Sequence, residues 1–379
     1  MKKLLNFLVL LLVLLSANNV FSNCLSPQDV SASSAVVICA DNGKVLFEKN
    51  AYEKRSMAST TKIMTSLLAI EAADADDRDI NITDKMGPVE GSSMGLKLGD
   101  VLPLSSLVKG MLTVSGNDAA NSVAIALGGS LDLFSDMMNE KARVIGMKNT
   151  HFVTPSGLDD KEHYSTAYDM ALLGAYALEN KSFLDICSQK KVDVLFREPQ
   201  VTKTFYNENK MLKRYDGCLG VKTGFTKSSG RCLVSAAQRN NLRLISVTLN
   251  APDDWNDHEK MLDYGFSCAE AVVLDEKEDI NVKVVGSDVG VLKASVKGST
   301  KAIINKNKGT DIKRVVYIPN FVYAPIKKDQ IVGKIEYTLN GEVVAENNLF
   351  AENDANYFKK SNNIDKLKNC LKSFFKFFN

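Results

Sequence analysis

Two β-like runs of apolar residues open the hydrophobic pattern, within SAVVICADNGKVLFEKN. They flank Asn42-Gly43, a dipeptide that strongly favours a two-residue hairpin turn. Shortly afterwards, Ile63, Leu67 and Ile70 recur at the spacing of one helix face. The pattern therefore predicts a β-hairpin followed by an apolar, buried helix.

Helical and strand-like patterns then follow one another along the chain. The stretch from Leu104 to Met147 predicts helices interrupted at VSGND, and STAYDMALLGAYALEN predicts a helix with Ser165 as its N-cap. From about Gly220, the segments GVKTGFT, RCLVSAAQR and LRLISVTLN predict strands, and MLDYGFSCAEA predicts a closing helix. Helices between an N-terminal hairpin and a C-terminal antiparallel run indicate an α+β domain whose sheet uses both chain ends.

The last hundred residues have a different texture. Short alternating segments with Gly and Asn turns, including Asn340-Gly341, predict a small all-β domain over residues 276–355. Residues 356–379 include NNIDKLKNCLKSFFKFFN, which places large apolar residues on one helix face and lysines on the other. This pattern is typical of a helix lying in a membrane interface, and a helix docked on the protein's own surface is the alternative.

The N-terminus has the pattern of an export signal. A basic start, an apolar run from Phe7 to Leu15 and small or polar residues near Ser22 predict a signal peptide over residues 1–22. The apolar run is too short to span a bilayer, and Cys24 leaves lipoprotein processing as a side alternative. We expect an exported protein, held peripherally at the outer face of the cytoplasmic membrane by its C-terminal helix.

Composition narrows the classes of function only slightly. The 379 residues, 45% hydrophobic and 24% charged, are enough for two globular domains, and the net charge of +2 gives no reason to expect a nucleic-acid partner. The seven cysteines show no C-x-x-C framework. His151, His163 and His258 lack metal-site spacing, so we expect no metal.

A serine three residues before a lysine is a candidate nucleophile and base, but the spacing alone is weak evidence. It occurs four times, as Ser59/Lys62, Ser106/Lys109, Ser188/Lys191 and Ser373/Lys376. Two further motifs distinguish the first pair, because they follow it in order: Ser115-Gly116-Asn117 and Lys222-Thr223-Gly224. Lys-Thr-Gly occurs once, where an edge strand could line a cleft.

The order Ser-x-x-Lys, Ser-x-Asn, Lys-Thr-Gly is the signature of penicillin-binding proteins and serine β-lactamases. With ASTTKIMT, VSGNDAAN, TPSGLDD and GVKTGFTKSSGRCLVSAAQR, a following β domain and a basic tail, the chain resembles the D-alanyl-D-alanine carboxypeptidases over about residues 30–355. The resemblance implies a β-lactamase/transpeptidase-like domain over residues 23–275, an antiparallel sheet covered by helices. The small all-β domain follows it.

The residue types of the first motif suit nucleophilic catalysis. Residues i and i+3 share a helix face, so Lys62 can reach Ser59. A serine hydroxyl needs a base to take its proton, and a lysine serves as that base only when desolvation or a neighbouring cation lowers its pKa. At a helix N-terminus, free backbone N–H groups favour the negative charge that develops during acyl transfer.

The resemblance implies the roles of the other motif residues. Lys222 is the cationic neighbour of Lys62, Ser115 relays a proton towards the leaving amine, and Asn117 hydrogen-bonds the substrate amide. Lys222 with Thr223 binds the terminal carboxylate of the substrate.

The resemblance also implies an oxyanion hole, formed by the backbone N–H of Ser59 and that of Phe225, the residue after Gly224. TPSGL matches a family turn near the site, although its composition fits a plain loop equally well. The stretch NAPDDWNDH is acidic where the family often carries a basic residue.

The implied function is a serine-type D-Ala-D-Ala carboxypeptidase acting on peptidoglycan stem peptides, without metal or organic cofactor and inhibited by β-lactams. One alternative is a serine β-lactamase, but no Glu-x-x-Leu-Asn stretch lies between Ser-Gly-Asn and Lys-Thr-Gly. The other is a noncatalytic penicillin-binding scaffold, against which the complete set of motif residues argues.

Overall fold

The computed structural model of the chain describes residues 25–86, 89–274, 280–306, 309 and 311–357. It divides into two compact units, residues 1–269 and 270–379. The predicted signal peptide over residues 1–22 and all but the first two residues of the predicted tail helix lie outside the described residues. Within the described ranges, no helix combines the length and apolar composition needed to cross a bilayer.

Nine strands and eight α-helices are described in the first unit. The strands are β1 (Ser34–Cys39), β2 (Val45–Lys49), β3 (Asp79–Asn81), β4 (Val101–Pro103), β5 (Lys191–Phe196), β6 (Val201–Tyr206), β7 (Cys218–Thr226), β8 (Gly230–Arg239) and β9 (Leu242–Leu249). The helices are α1 (Lys62–Ala75), α2 (Leu104–Val114), α3 (Asn117–Gly128), α4 (Leu131–Ile145), α5 (Ala167–Ala177), α6 (Lys181–Cys187), α7 (Met211–Arg214) and α8 (Asp254–Cys268).

The main sheet joins the two ends of this unit. Its strand order is β2-β1-β9-β8-β7, and every neighbouring pair is antiparallel. The hairpin predicted at Asn42-Gly43 connects β1 to β2, and β1 pairs with β9 from the far end of the unit. The predicted α+β arrangement, a sheet built from both chain ends and packed with helices, is therefore confirmed.

Helix α1 passes through the core of the unit. Ile63, Leu67 and Ile70, the residues that predicted its buried face, are 1% exposed or less. Helices α2, α3 and α5 pack against it. The residue that begins α1 is therefore enclosed on several sides, and this residue is Lys62.

The sequence analysis was wrong by one residue at the start of α5. The N-cap is Thr166, whose hydroxyl accepts a hydrogen bond from the Asp169 amide at 3.0 Å. Ser165 instead forms a bridge with Arg55 through its backbone, and its hydroxyl lies 2.8 Å from that of Thr150. Because this pairing keeps Ser165 extended, the helix begins after the next residue.

The hairpin of β5 and β6 is among the elements of the first unit that were not assigned from sequence. β5 and β6 form a separate antiparallel hairpin before the main sheet strands, with Lys191 opposite Tyr206 and Phe196 opposite Val201. The alternation of polar and apolar residues at the start of β5 was the available signal in the sequence. The hairpin continues into the segment that carries Glu208, a residue that acts electrostatically on the site described below.

The second unit is all-β, as predicted. Its strands are β10 (Ala269–Leu274), which starts at the boundary, β11 (Ile280–Val285), β12 (Val291–Val296), β13 (Thr300–Asn305), β14 (Ile312–Tyr317), β15 (Val322–Tyr323), β16 (Ile331–Leu339) and β17 (Glu342–Ala351). One sheet has the order β14-β16-β17-β12-β11-β15, and β10 pairs with β13. The predicted turn at Asn340-Gly341 joins β16 to β17. The division after Ala269 lies six residues before the sequence-based boundary at 275.

Candidate active site

Ser59 lies in a short 3-10 turn, Ala58–Thr61, that leads directly into α1. Thr60 and Thr61 close the turn by donating their hydroxyl hydrogens to the carbonyls of Met57 and Ala58 at 2.6 and 2.8 Å. The side chains of these threonines thus fix the turn that presents Ser59. Its position at the N-terminal end of a helix agrees with the sequence prediction.

Lys62 reaches Ser59 across one helical turn, as the spacing predicted. Its Nζ lies 2.9 Å from Ser59 Oγ and 2.6 Å from both Asn117 Oδ1 and the Ser156 carbonyl oxygen. The residue has no exposed surface. A charged ammonium would therefore have only neutral oxygens as direct hydrogen-bond partners.

The protonation of Lys62 follows from this burial. Desolvation, reinforced by the positive charge of Lys222, holds the pKa of Lys62 well below its usual range, and the carboxylates of Asp118 and Glu208 oppose the change. Burial also lowers the pKa of Lys222, to about 8, against the influence of Glu208. The two lysines therefore favour the state in which Lys62 is neutral while Lys222 keeps a share of positive charge.

The number of hydrogen-bond partners fits a neutral Lys62. A neutral amine has two N–H donors and one lone pair, whereas an ammonium has three donors. Asn117 Oδ1 and the Ser156 carbonyl take the two N–H groups, which leaves the lone pair for the hydroxyl hydrogen of Ser59. This arrangement is that of a base in contact with an alcohol.

The second motif forms the junction between α2 and α3. Ser115 has a left-handed backbone with φ of 60°, which ends α2 and turns the chain into α3. Asn117, the first residue of α3, donates from Nδ2 to the Glu90 carbonyl at 2.6 Å. Ser115 is buried, and within the described part of the chain its hydroxyl makes no hydrogen bond to Ser59, Lys62 or Lys222.

The third motif lies on β7, the edge strand of the main sheet. Lys222 is buried and donates from Nζ to the Thr223 carbonyl at 2.9 Å, with Thr223 Oγ1 at 3.4 Å. At Gly224 the strand passes so close to the Ser59 turn that a methyl group there would lie 3.1 Å from the Ser59 nitrogen. Phe225, which follows, is largely exposed. Residues predicted from three separate motifs therefore meet at one edge of the sheet.

Besides Glu208, two contributors to the site were not identified from sequence. Asp118 is buried beside Asn117 and accepts hydrogen bonds from Ser93 Oγ at 2.6 Å and from the Met94 and Leu96 amides at 3.0 Å. The Ser156 carbonyl belongs to TPSGL, which the structure places against Lys62. In the sequence, the only signal for Asp118 was a carboxylate next to the Ser-x-Asn motif. The Ser156 carbonyl has no sequence signal, because every residue carries a backbone carbonyl.

His163 links the TPSGL segment to the turn that carries Ser59. Its Nδ1 accepts from the Val153 amide at 2.9 Å, so the neutral ring carries its hydrogen on Nε2, which lies 2.8 Å from Thr61 Oγ1. Burial lowers the pKa of His163 to about 4, which keeps the ring neutral. This histidine therefore has the satisfied-core role expected of it.

The other Ser/Lys pairs are structural where they are described. Lys109 donates to the Asp193 carbonyl at 3.1 Å from the surface of α2, and Ser188 ends α6. Ser373/Lys376 lies outside the described residues. The five described cysteines are free, and the described residues contain no group of three or more His, Cys, Asp or Glu placed to hold a metal ion.

Comparison with solved structures identifies the class to which this fold and site belong. The crystal structure of penicillin-binding protein 5 from Haemophilus influenzae matches with a TM-score of 0.73 and 30% identity, covering 88% of this chain and 99% of that one. Residues 271–357 also match the family model of the penicillin-binding protein 5 C-terminal domain. The architecture is that of a penicillin-binding protein.

The family follows from sequence comparison. Residues 22–253 match the model of the peptidase S11 family, described as D-alanyl-D-alanine carboxypeptidase. The D-alanyl-D-alanine carboxypeptidase DacF of Bacillus subtilis is 34% identical over 358 residues, covering 91% of this chain and 90% of that protein. DacC of Escherichia coli is 34% identical over 342 residues, covering 84% and 83%. The chain belongs to the peptidase S11 family.

Proposed function

We propose that the chain is a serine-type D-Ala-D-Ala carboxypeptidase that removes the terminal D-alanine from peptidoglycan stem peptides. The observation that carries this proposal is the buried amine of Lys62, 2.9 Å from Ser59 Oγ and with its other partners supplied by neutral oxygens. The curated relatives are named for this activity, which supports the choice of substrate.

Acylation would start with the transfer of the Ser59 hydroxyl proton to Lys62. Ser59 Oγ then bonds to the carbonyl carbon between the two D-alanines, and the backbone N–H groups of Ser59 and Phe225 stabilise the oxyanion. When the C–N bond breaks, Ser115 passes the proton to the leaving amine and D-alanine departs. Water hydrolyses the ester and restores Ser59.

Asn117 and the β7 motif would hold the substrate. Only one of the two N–H groups on Asn117 Nδ2 is needed for the Glu90 carbonyl, so the other is available to a substrate amide oxygen. Lys222 and Thr223 present a positive charge and a hydroxyl to the terminal carboxylate. Gly224 supports this arrangement because it lets β7 approach the Ser59 turn closely.

The location of the enzyme is part of the proposal. Residues 1–22 and 356–379 have the sequence patterns of an export signal and of an interfacial helix. Both patterns support an exported enzyme at the outer face of the cytoplasmic membrane, where stem peptides are found. β-Lactams would acylate Ser59 as substrate analogues.

The test is D-alanine release from a peptide ending in D-Ala-D-Ala, using the full chain, Ser59→Ala and Ser106→Ala. Ser106 is the matched control because it is also a buried serine three residues before a lysine. We expect the parent and Ser106→Ala to release D-alanine and Ser59→Ala to release none. Rapid turnover of penicillin without D-alanine release would favour a β-lactamase. If Ser59→Ala kept both D-alanine release and penicillin turnover, the assignment of Ser59 as the nucleophile would be wrong.

A further inference from the structure

Three neighbouring strands of the second unit carry apolar side chains on the face turned away from its core. In the parallel pair of β11 and β15, Val285 is opposite Tyr323, whereas Val284 packs in the core. In β12, Val291 is opposite Lys283, which lies two residues before Val285. Paired residues project to one face of a sheet, and so do residues two apart on a strand. Val285, Val291 and Tyr323 therefore share the outer face.

These apolar side chains form one exposed surface. The ring of Phe321 meets that of Tyr323 edge to face, with the ring centres 5.3 Å apart. We call Val285, Val291, Phe321 and Tyr323 the outer patch, and all four are between 45% and 68% exposed. Large apolar residues that lie together at a protein surface mark a site of interaction with a partner or a membrane.

The described chain ends beside the outer patch. The turn between β11 and β12 connects Val285 to Val291, and its Asp288 amide donates to the Asn356 carbonyl at 3.2 Å. In the same turn, Ser287 bridges to Tyr357, which is largely exposed. The sequence then continues as Phe-Lys-Lys before the amphipathic pattern of the predicted tail helix. The chain thus leaves the second unit next to exposed apolar residues.

A short connection limits the distance between the tail and the outer patch. Ile364, the first apolar residue of the amphipathic pattern, is seven residues after Tyr357, and seven extended residues span at most about 25 Å. An interfacial helix buries its apolar face about 5–10 Å into the lipid boundary. A tail that lies in a membrane therefore holds this end of the β sheet close to the same membrane.

The residue types around the patch suit a lipid surface. Tyrosine combines an apolar ring with a polar hydroxyl and is enriched at the headgroup level of membranes. Lys283, on the same face, can extend its ammonium to the headgroups while its stem covers apolar surface. The edge strand of the described sheet, β15, has two residues, which is too short to pair with a strand from a protein partner. Lipid is therefore the better occupant.

We propose that the outer patch is a membrane contact, through which the second unit lies on the lipid surface beside the tail. The inference rests on the proposed location and adds a contact from a folded sheet to that of the tail. Because the tail brings the patch to the surface, the second contact is intramolecular and needs little affinity of its own. Two separate contacts restrict the rotation of the second unit on the membrane, which one contact would not.

The test measures binding of residues 23–379 to vesicles of phosphatidylglycerol and phosphatidylethanolamine by flotation. The predicted signal peptide is left out, because its apolar run would itself bind lipid. Phe321→Ser combined with Tyr323→Ser should weaken binding by about 5- to 20-fold, because two apolar rings are lost from the contact. The same ratio should hold in about 1 M salt, which screens charges but not apolar contacts. D-Alanine release from a soluble peptide should equal that of the parent.

Val315→Ser combined with Val343→Ser is the matched control. Val343 is exposed near the start of β17, and Val315 is exposed on β14, at the opposite edge of the same sheet from β15. This variant should bind vesicles like the parent. Unchanged binding of the patch variant would overturn the proposal. Stronger binding would also overturn it, and would indicate that the patch holds the tail instead of lipid.

A fluorescence measurement locates the contact directly. Tyr323→Trp and Val343→Trp each add an indole to a chain whose single tryptophan, Trp255, lies in the first unit. Lipids with bromine on the acyl chains should quench the emission added by Tyr323→Trp and leave that added by Val343→Trp. Equal quenching of the two, or quenching of neither, contradicts a contact at the outer patch.

The roles of the tail and of the enzyme are separated by two further outcomes. Phe374→Ser combined with Phe375→Ser removes two aromatic residues from the apolar face of the predicted tail helix. If this variant loses binding while the patch variant binds like the parent, the proposed location stands and the inference fails. If the parent releases D-alanine but binds no vesicles, the location and the patch contact both fail while the carboxypeptidase assignment stands.

Discussion

Replacing Asp118 with asparagine should destabilise the protein and also move the acid limb of its activity to lower pH. Asp118 Oδ2 accepts from Ser93 Oγ and from the Leu96 amide, and Oδ1 accepts from the Met94 amide, at 2.6 to 3.0 Å. An asparagine keeps only one of these oxygens. At least one backbone N–H would then face an NH2 group instead of an acceptor.

The expected loss of stability is about 2–4 kcal/mol, since a hydrogen bond to a charged group contributes about 1.5–3 kcal/mol and a buried donor is left without a partner. The midpoint of thermal unfolding should fall by about 2–4 °C for each kcal/mol in a domain of this size. Both quantities can be measured by unfolding of the parent and the variant, monitored by circular dichroism.

The same substitution should also change the pH dependence of acylation. Asp118 is the first of the two carboxylates that raise the pKa of Lys62 against desolvation and Lys222. Removing its charge lowers the pKa of Lys62 further, so the unprotonated base persists to lower pH. The acid limb of the penicillin acylation rate should therefore shift to lower pH. The rate is measured at a temperature below that at which the variant unfolds.

Asp100→Asn is the control for this experiment. Asp100 is also buried and accepts from the Lys97 amide at 2.9 Å, but it does not contribute to the pKa of Lys62. Asp100→Asn should lower the stability of the protein without moving the acid limb of the acylation rate. If Asp118→Asn loses stability while its limb stays in place or moves to higher pH, the electrostatic reasoning is wrong and Asp118 has only a structural role.

Three further changes test other parts of the site and the core. Lys222→Met removes the cation that lowers the pKa of Lys62, so the acid limb of penicillin acylation should move to higher pH; an unchanged limb would mean that burial alone sets this pKa. Gly224→Ala places a methyl group 3.1 Å from the Ser59 nitrogen, and should slow acylation by about tenfold or more while thermal unfolding stays near that of the parent. An equal acylation rate would show that β7 can shift. Burial lowers the pKa of His258 to about 3, whereas the unfolded histidine takes up a proton near pH 6.5, so stability should fall as pH decreases between these values. The slope is at most about 1.4 kcal/mol per pH unit, and urea unfolding of His258→Gln should show a shallower one.

Much of the fold could be predicted because its signals are local. The turn at Asn42-Gly43, the helical spacing of Ile63 and Leu67 and the three late strands each occupy a few consecutive residues. The Ser165 N-cap was wrong because a bridge to Arg55 keeps that residue extended. Pairing with a distant segment overrode a local preference there.

The candidate site could be predicted as a set of residues, but not as a chemical environment. The sequence by itself determined that Ser59 and Lys62 share a helix face, because helical geometry links positions three apart. It also determined which motifs follow, in which order. It did not determine the protonation of Lys62, which depends on the enclosure of its amine and on the charge of Lys222 from a remote strand.

Only the tertiary structure decided which backbone groups and distant side chains meet at this point. The Ser156 carbonyl completes the hydrogen-bond contacts of Lys62. Because every residue has a backbone carbonyl, no sequence pattern could predict this contact. Likewise, the sequence does not show which residue the acidic stretch after β9 contacts, and the fold brings its Asp254 to Arg231 on β8. Periodicity encodes which face a residue occupies, whereas the partner on the other side of that face is set by long-range strand pairing and packing.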